Sequence, residues 1–186
     1  MKKLRVLFSS CLALLVVLIT PFTAVADSLP DVVDADKPIS TTLVEVDREE
    51  NGDSWRVTYE IIPVYETDED GISTLSSRSA WGVVTTVGNK LTVDTMDFDI
   101  TVKLFNSNIS SCYVKFFTGT GYRSLAAHPA GISNTAYMGC QIRYAHRGQY
   151  EAYTASVDVY PVTGDAVHQI GVLSLKSFTI EKGYDD

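Results

Sequence analysis

Residues 98–104 read Phe98-Asp99-Ile100-Thr101-Val102-Lys103-Leu104, and this run decides the fold class. Apolar side chains stand at every second position with polar ones between them. An extended strand sends alternate side chains to opposite faces, so the run buries one face and wets the other. The same period of two recurs upstream, where Trp55, Val57, Tyr59 and Ile61 share one face of residues 54–65. Residues 41–48 and 54–65 flank Glu49-Glu50-Asn51-Gly52-Asp53, a turn-rich stretch that reads as a hairpin. Pro63 cannot donate a ladder hydrogen bond, so it marks an edge or a bulge.

Strand patterns continue outward from this centre. Residues 66–77 form a polar loop, 78–86 a strand, and 87–90 a turn into a short strand at 90–94. Residues 112–118 read as the hairpin partner of 98–104 across the turn at 106–110. Gly, Pro, Ser and Asn dominate 119–135, which reads as a long loop with one helical turn at 124–128. Strands resume at 136–145 and 150–162, and 169–180 holds a last strand or bent pair. No long helical period appears. The expectation is an all-β, antiparallel, two-sheet sandwich of about eight or nine strands, with a barrel as second choice.

The chain of 186 residues is too short for a (β/α)8 barrel. Its ends read as separate parts. Met1-Lys2-Lys3-Leu4-Arg5 is a basic start, residues 6–20 are mostly apolar, Pro21 breaks the run, and Ala24 and Ala26 frame a cleavage site. This is the pattern of a secretory signal peptide over residues 1–26. An uncleaved anchor is the weaker reading, because the apolar run falls short of a span. Acylation at Cys11 is weaker still, because little apolar sequence precedes it. Residues 27–39 are acidic with two prolines and read as a flexible linker. Residues 40–182 form one sandwich domain and 183–186 a tail. The expected mature form is secreted or otherwise extracytoplasmic and does not span a membrane.

Net charge is −8, and removing Lys2, Lys3 and Arg5 leaves 12 basic against 23 acidic residues, or −11. Residues 27–100 hold 17 acids and 5 bases, whereas 101–186 hold 6 and 7. Binding to nucleic acid needs a basic footprint, which this chain lacks. Cys112 and Cys140 remain after cleavage, and an even pair in an exported chain reads as one disulfide. The immunoglobulin signature fails. Trp55 and Trp81 both precede Cys112, and Tyr137 stands three residues before Cys140.

Catalytic patterns are weak. His128, His146 and His168 have no histidine partner at metal-ligand spacing, and no nucleophile elbow or phosphate loop occurs. Asp97 and Asp99 share a strand face and form either an acid–base pair or a solvated surface. The expected function is a non-enzymatic binding or surface-interaction module, with an extracellular protein or a glycan as partner. A small hydrolase using carboxylates or histidine is the alternative, as is an envelope structural or assembly subunit. Recognition in such domains sits on loops. That directs attention to 119–135, with Tyr122 and His128, and to the tip at 145–150, with Arg147 and Tyr150. Exposed Tyr beside Arg suits a sugar ring or a partner protein. Glu66-Thr67-Asp68-Glu69-Asp70-Gly71 resembles the opening of an EF-hand loop, with Glu66, Asp68 and Asp70 as Ca2+ ligands. Strands flank it and Ser77 stands where a bidentate Glu belongs, so only a shallow Ca2+ loop remains, and no other cofactor is expected.

Overall fold

The computed structural model describes Pro38, residues 40–65 and residues 79–186. The signal segment, most of the acidic linker and the Glu66–Asp68–Asp70 loop lie outside the described residues. Nine strands are described: β1 (Ser40–Asn51), β2 (Ser54–Val64), β3 (Gly82–Lys90), β4 (Thr95–Leu104), β5 (Ile109–Phe117), β6 (Tyr122–Ala127), β7 (Thr135–Arg143), β8 (Gly148–Pro161) and β9 (Val167–Ile180). They form a five-stranded sheet, β1-β2-β3-β4-β7, and a four-stranded sheet, β6-β5-β8-β9. All neighbours are antiparallel, and the two sheets remain open, so the architecture is a sandwich rather than a barrel. No helix among the described residues is long and apolar enough to cross a membrane.

The inward faces are those the alternation marks. Trp55, Val57, Tyr59 and Ile61 of β2 are buried, as are Phe98, Ile100, Val102 and Leu104 of β4. Phe98 lies at the centre, with ring centroids 5.0 Å from Phe116, 6.0 Å from Trp55 and 6.1 Å from Phe178. Aromatic pairs at these spacings add to the hydrophobic gain of burial. Pro63 lies beyond the β2–β3 pairing, which ends at Ile61, so its missing N–H costs no bond on that side.

Polar ties join the sheets. Ser174 of β9 is buried with φ of 57°, in a strand whose pairing with β8 is shifted twice. Its N–H donates to the Tyr59 hydroxyl at 2.8 Å, and its own hydroxyl donates to the same oxygen at 3.1 Å. Thr86 donates to Ser174 Oγ at 2.6 Å. Tyr59 thereby satisfies a left-handed bulge inside the core, where an orphaned N–H would be costly. At the far end Tyr144 donates to the Thr118 carbonyl at 2.5 Å.

Three local expectations are corrected. Residues 91–94 are the turn between β3 and β4, closed by Leu91 N–H to the Thr95 carbonyl at 2.9 Å. Residues 122–127 form edge strand β6 on β5, not a loop with a helical turn. Residues 109–117 do not pair with β4. The chain crosses to the other sheet there, and Ile109 donates to Ser133 at 2.7 Å. The tail is also tied down. Tyr184 and Asp185 donate to the Tyr144 and Ala145 carbonyls at 3.1 and 3.0 Å. A Cβ on the buried Gly183 would collide with the Ala145 carbonyl.

Candidate functional site

The outward face of the four-stranded sheet is aromatic. β5 contributes Tyr113, Lys115 and Phe117, and β8 contributes Tyr153, Asp158 and Tyr160. At one end Tyr113 meets His128 edge to face at 5.4 Å and Tyr160 at 6.0 Å. Tyr160 in turn meets His168 at 5.5 Å, and His168 Nδ1 lies 2.9 Å from Asp158 Oδ1. At the other end Phe117 stacks on Tyr153 at 5.0 Å and leans on Tyr122 at 5.1 Å. The two phenols share a hydrogen bond of 2.9 Å, and Lys115 Nζ stands 4.6 Å above the Tyr122 ring. The Tyr122 bond holds the Tyr153 phenol above its ordinary value, with burial adding to it. On β9 beside this face, Ile170 and Val172 are 83% and 61% exposed.

The residues singled out from the sequence divide between two places. His128 and Tyr122 sit at opposite ends of this face, about six residues or roughly 20 Å apart along an extended chain. Arg147 and Tyr150 do not join them. Tyr150 is half-buried against Tyr144 at 4.6 Å and Phe178 at 6.0 Å, and its hydroxyl donates to the His146 carbonyl at 2.8 Å. It is a packing residue and not an exposed platform. Arg147 is exposed in the β7–β8 turn, where its backbone N–H donates to Asp186 at 2.7 Å. Tyr153, which shares the alternation of Val157 and Val159, points outward instead. Register shifts in β8 pairing between Lys115 and Phe116 and between Thr154 and Ser156 reverse its phase. The alternation Tyr113-Lys115-Phe117 was the available signal for this face. Tyr160 and His168 had none, because nothing local brings β8 and β9 beside β5.

The expected bridge is absent, and Cys112 and Cys140 are free thiols. They lie on different sheets, in β5 and β7. Ile109 is tied to Ser133 and Thr118 to Tyr144, so β5 and β7 run in the same direction. Interpolating between these ties puts the cysteines about three to four residues out of step, roughly 10 Å. Disulfide geometry does not reach that far. Burial, and next Asp158, push the Cys112 thiol up to about 12, and burial also raises Cys140. Neither is a poised nucleophile.

The outward face of the five-stranded sheet has another chemistry. The register sets Arg56, Val87, Asp99 and Gly139 in one row across β2, β3, β4 and β7. Asn89, Asp97 and Gln141 form the row on one side, and Thr58, Thr85, Thr101 and Tyr137 the row on the other. A shallow groove of about 530 Å³ runs over these rows. Tyr137 at its edge is 75% exposed. Burial and the neighbouring Asp97 charge hold the Asp99 carboxyl above its ordinary value. No histidine joins this pair. His128 is against Tyr113, His168 against Asp158, and His146 Nδ1 lies 3.5 Å from Asp186. Among the described residues no cluster of three or more His, Cys, Asp or Glu could hold a metal ion. No protein-family model matches the chain, and comparisons with curated proteins and with solved structures give no match.

Proposed function

We propose that the chain is an exported, non-enzymatic interaction module that docks a partner protein on the outer face of its four-stranded sheet. The carrying observation is the band of Tyr113, Tyr160, Phe117, Tyr122 and Tyr153 beside the exposed Ile170 and Val172. Aromatic rings with few free charges are the composition of an interface centre. The face is nearly neutral in a strongly acidic chain. Lys115 and Glu151 are of opposite sign, and Asp158 is engaged by His168. Ile170 and Val172 offer nothing to the hydroxyl edge of a sugar, so an apolar protein surface is the complementary occupant. Export rests on the basic start, apolar run and Ala24–Ala26 pattern of the first 26 residues.

The test is affinity capture from the extracellular fraction of the producing cells, with three baits: the native protein, Tyr113→Ala and Ile170→Asp. The expected result is one protein retained by the native bait and lost from both variants, each with its cooperative melt intact. Capture that both variants retain overturns the reading. Sedimentation of the native protein completes the test: a concentration-dependent dimer dissolved by Ile170→Asp assigns the face to a second copy instead.

A further inference from the structure

We propose that the groove on the opposite, five-stranded sheet binds a neutral glycan, with one sugar ring against Tyr137 and its hydroxyls held by Asp99, Asn89 and Arg56. This site is independent of the partner-docking face.

The first support is what the side chains leave undone. Several surface charges elsewhere are paired: Arg48 with Glu45 and Glu50, Lys90 with Asp53 and Glu181, Arg143 with Asp94, and Lys176 with Glu50. In the groove the side chains of Arg56, Asn89, Asp99 and Tyr137 make no hydrogen bond or ion pair among the described residues. Four polar groups of different kinds face one concavity with their bonding capacity free. A carboxylate accepts from two neighbouring hydroxyls, an amide both donates and accepts, and a guanidinium donates in a fixed fork. Adjacent sugar hydroxyls need this mixture.

Gly139 is the second support. It lies between Tyr137 and Gln141 on the outward side of β7, directly across from Asp99. A Cβ there would sit 2.5 Å from Asp99 Oδ1. The bare backbone lets the Asp99 carboxylate lie over β7 and leaves the flank of Tyr137 open. A pyranose has an apolar C–H face and a hydroxyl edge, so it meets a ring and a carboxylate side by side. The groove crosses from β2 to β7, three strand spacings or about 14 Å, which exceeds one sugar ring and suits a short stretch of chain.

Charge selects among glycans. Asp97 and Asp99 stand two residues apart on one face, with Arg56 as the single cation among the groove-lining residues. Burial and the Asp97 charge already hold the Asp99 carboxyl above its ordinary value, so an anionic sugar would add one more negative charge to a face that disfavours it. Neutral hydroxyls fit; uronates do not.

The experiment is native gel electrophoresis of the purified protein through gels containing a soluble mannan, a soluble β-glucan, an arabinoxylan or polygalacturonate. Retardation is expected in at least one neutral gel and not in polygalacturonate. Tyr137→Ala and Gly139→Val should each weaken it at least tenfold, whereas Tyr113→Ala on the other face should leave it unchanged. Tyr137 is so exposed that its truncation keeps the fold, and the melt of each variant verifies this. Migration unaffected by every neutral polymer overturns the proposal. So does retardation that both groove variants preserve, or retardation by polygalacturonate alone.

Discussion

The two outer faces of this sandwich are built from the same alternation and carry opposite chemistry. On the four-stranded sheet the outward positions of β5 and β8 carry the rings Tyr113, Phe117, Tyr153 and Tyr160, each touching another ring. On the five-stranded sheet the outward positions of β2, β3, β4 and β7 are mostly threonine, amide and charge, with one exposed Tyr at the margin. Inward positions on both sheets are alike, because both must fill one core. Burial therefore constrains one residue in two, and the other is free to be assigned to a surface. A face of mutually packed rings contributes to stability as well as presenting itself. A face whose polar groups are mostly unpaired contributes little to stability.

That contrast can be broken most severely from the inside. Phe98→Ala removes the ring that touches Trp55, Phe116 and Phe178, and should cost about 3–5 kcal/mol. Denaturant unfolding measures it, and both faces should lose their binding together. Tyr59→Phe is next. It removes the hydroxyl that accepts from Ser174, leaving a buried N–H orphaned, at about 1–3 kcal/mol. An unchanged unfolding midpoint would mean that the bulge relaxes without its acceptor.

Equal truncations on the two faces sharpen the comparison. Tyr113→Ala loses edge-to-face contacts with His128 and Tyr160 and should cost about 0.5–1.5 kcal/mol. Tyr137→Ala loses no described ring contact and should stay within about 0.5 kcal/mol. Equal thermal shifts for the pair would mean that the two faces contribute alike to stability.

Asp99→Asn gives a smaller effect with a definite sign. Burial and Asp97 raise the native carboxyl above its ordinary 3.8, so the native state holds that proton more tightly than the unfolded chain. Wild-type stability then falls relative to the variant as pH rises through 3.8 and past the native value. The variant should melt higher at neutral pH, and the difference should close in acid below 3.8. The smallest expected effect is zero. A reducing agent should leave Tm unchanged, and Cys112 and Cys140 should both be alkylated after denaturation without reduction, because they are unbridged.

Much of the architecture was legible from local pattern. The β1–β2 hairpin, the inward set of β2 and β4, and the place of Pro63 follow from period-two alternation and one missing donor. β6 was not legible. Arg123-Ser124-Leu125-Ala126-Ala127 has little β preference of its own and becomes a strand only by completing hydrogen bonds with β5. Tyr150 faces inward and Tyr153 outward, against the alternation set by Val157 and Val159, because register shifts in β8 pairing change which residues face inward. Of the candidate site, His128 and Tyr122 were found in what read as a loop, but their shared face was not.

Sequence alone determined the all-β class, the inward residues of the regular strands and the acidic balance, since each depends only on composition or on neighbours two residues apart. Tertiary structure decided which sheet each strand joins, and with it everything that depends on company. It separated Cys112 from Cys140 by carrying β5 to the sheet opposite β7. It set Tyr113 beside Tyr160, and Arg56 in one row with Asp99 and Gly139. The physical reason is that strand pairing is satisfied by any compatible neighbour. The choice among neighbours is made by burying both sheets against each other at once, a condition no local stretch contains.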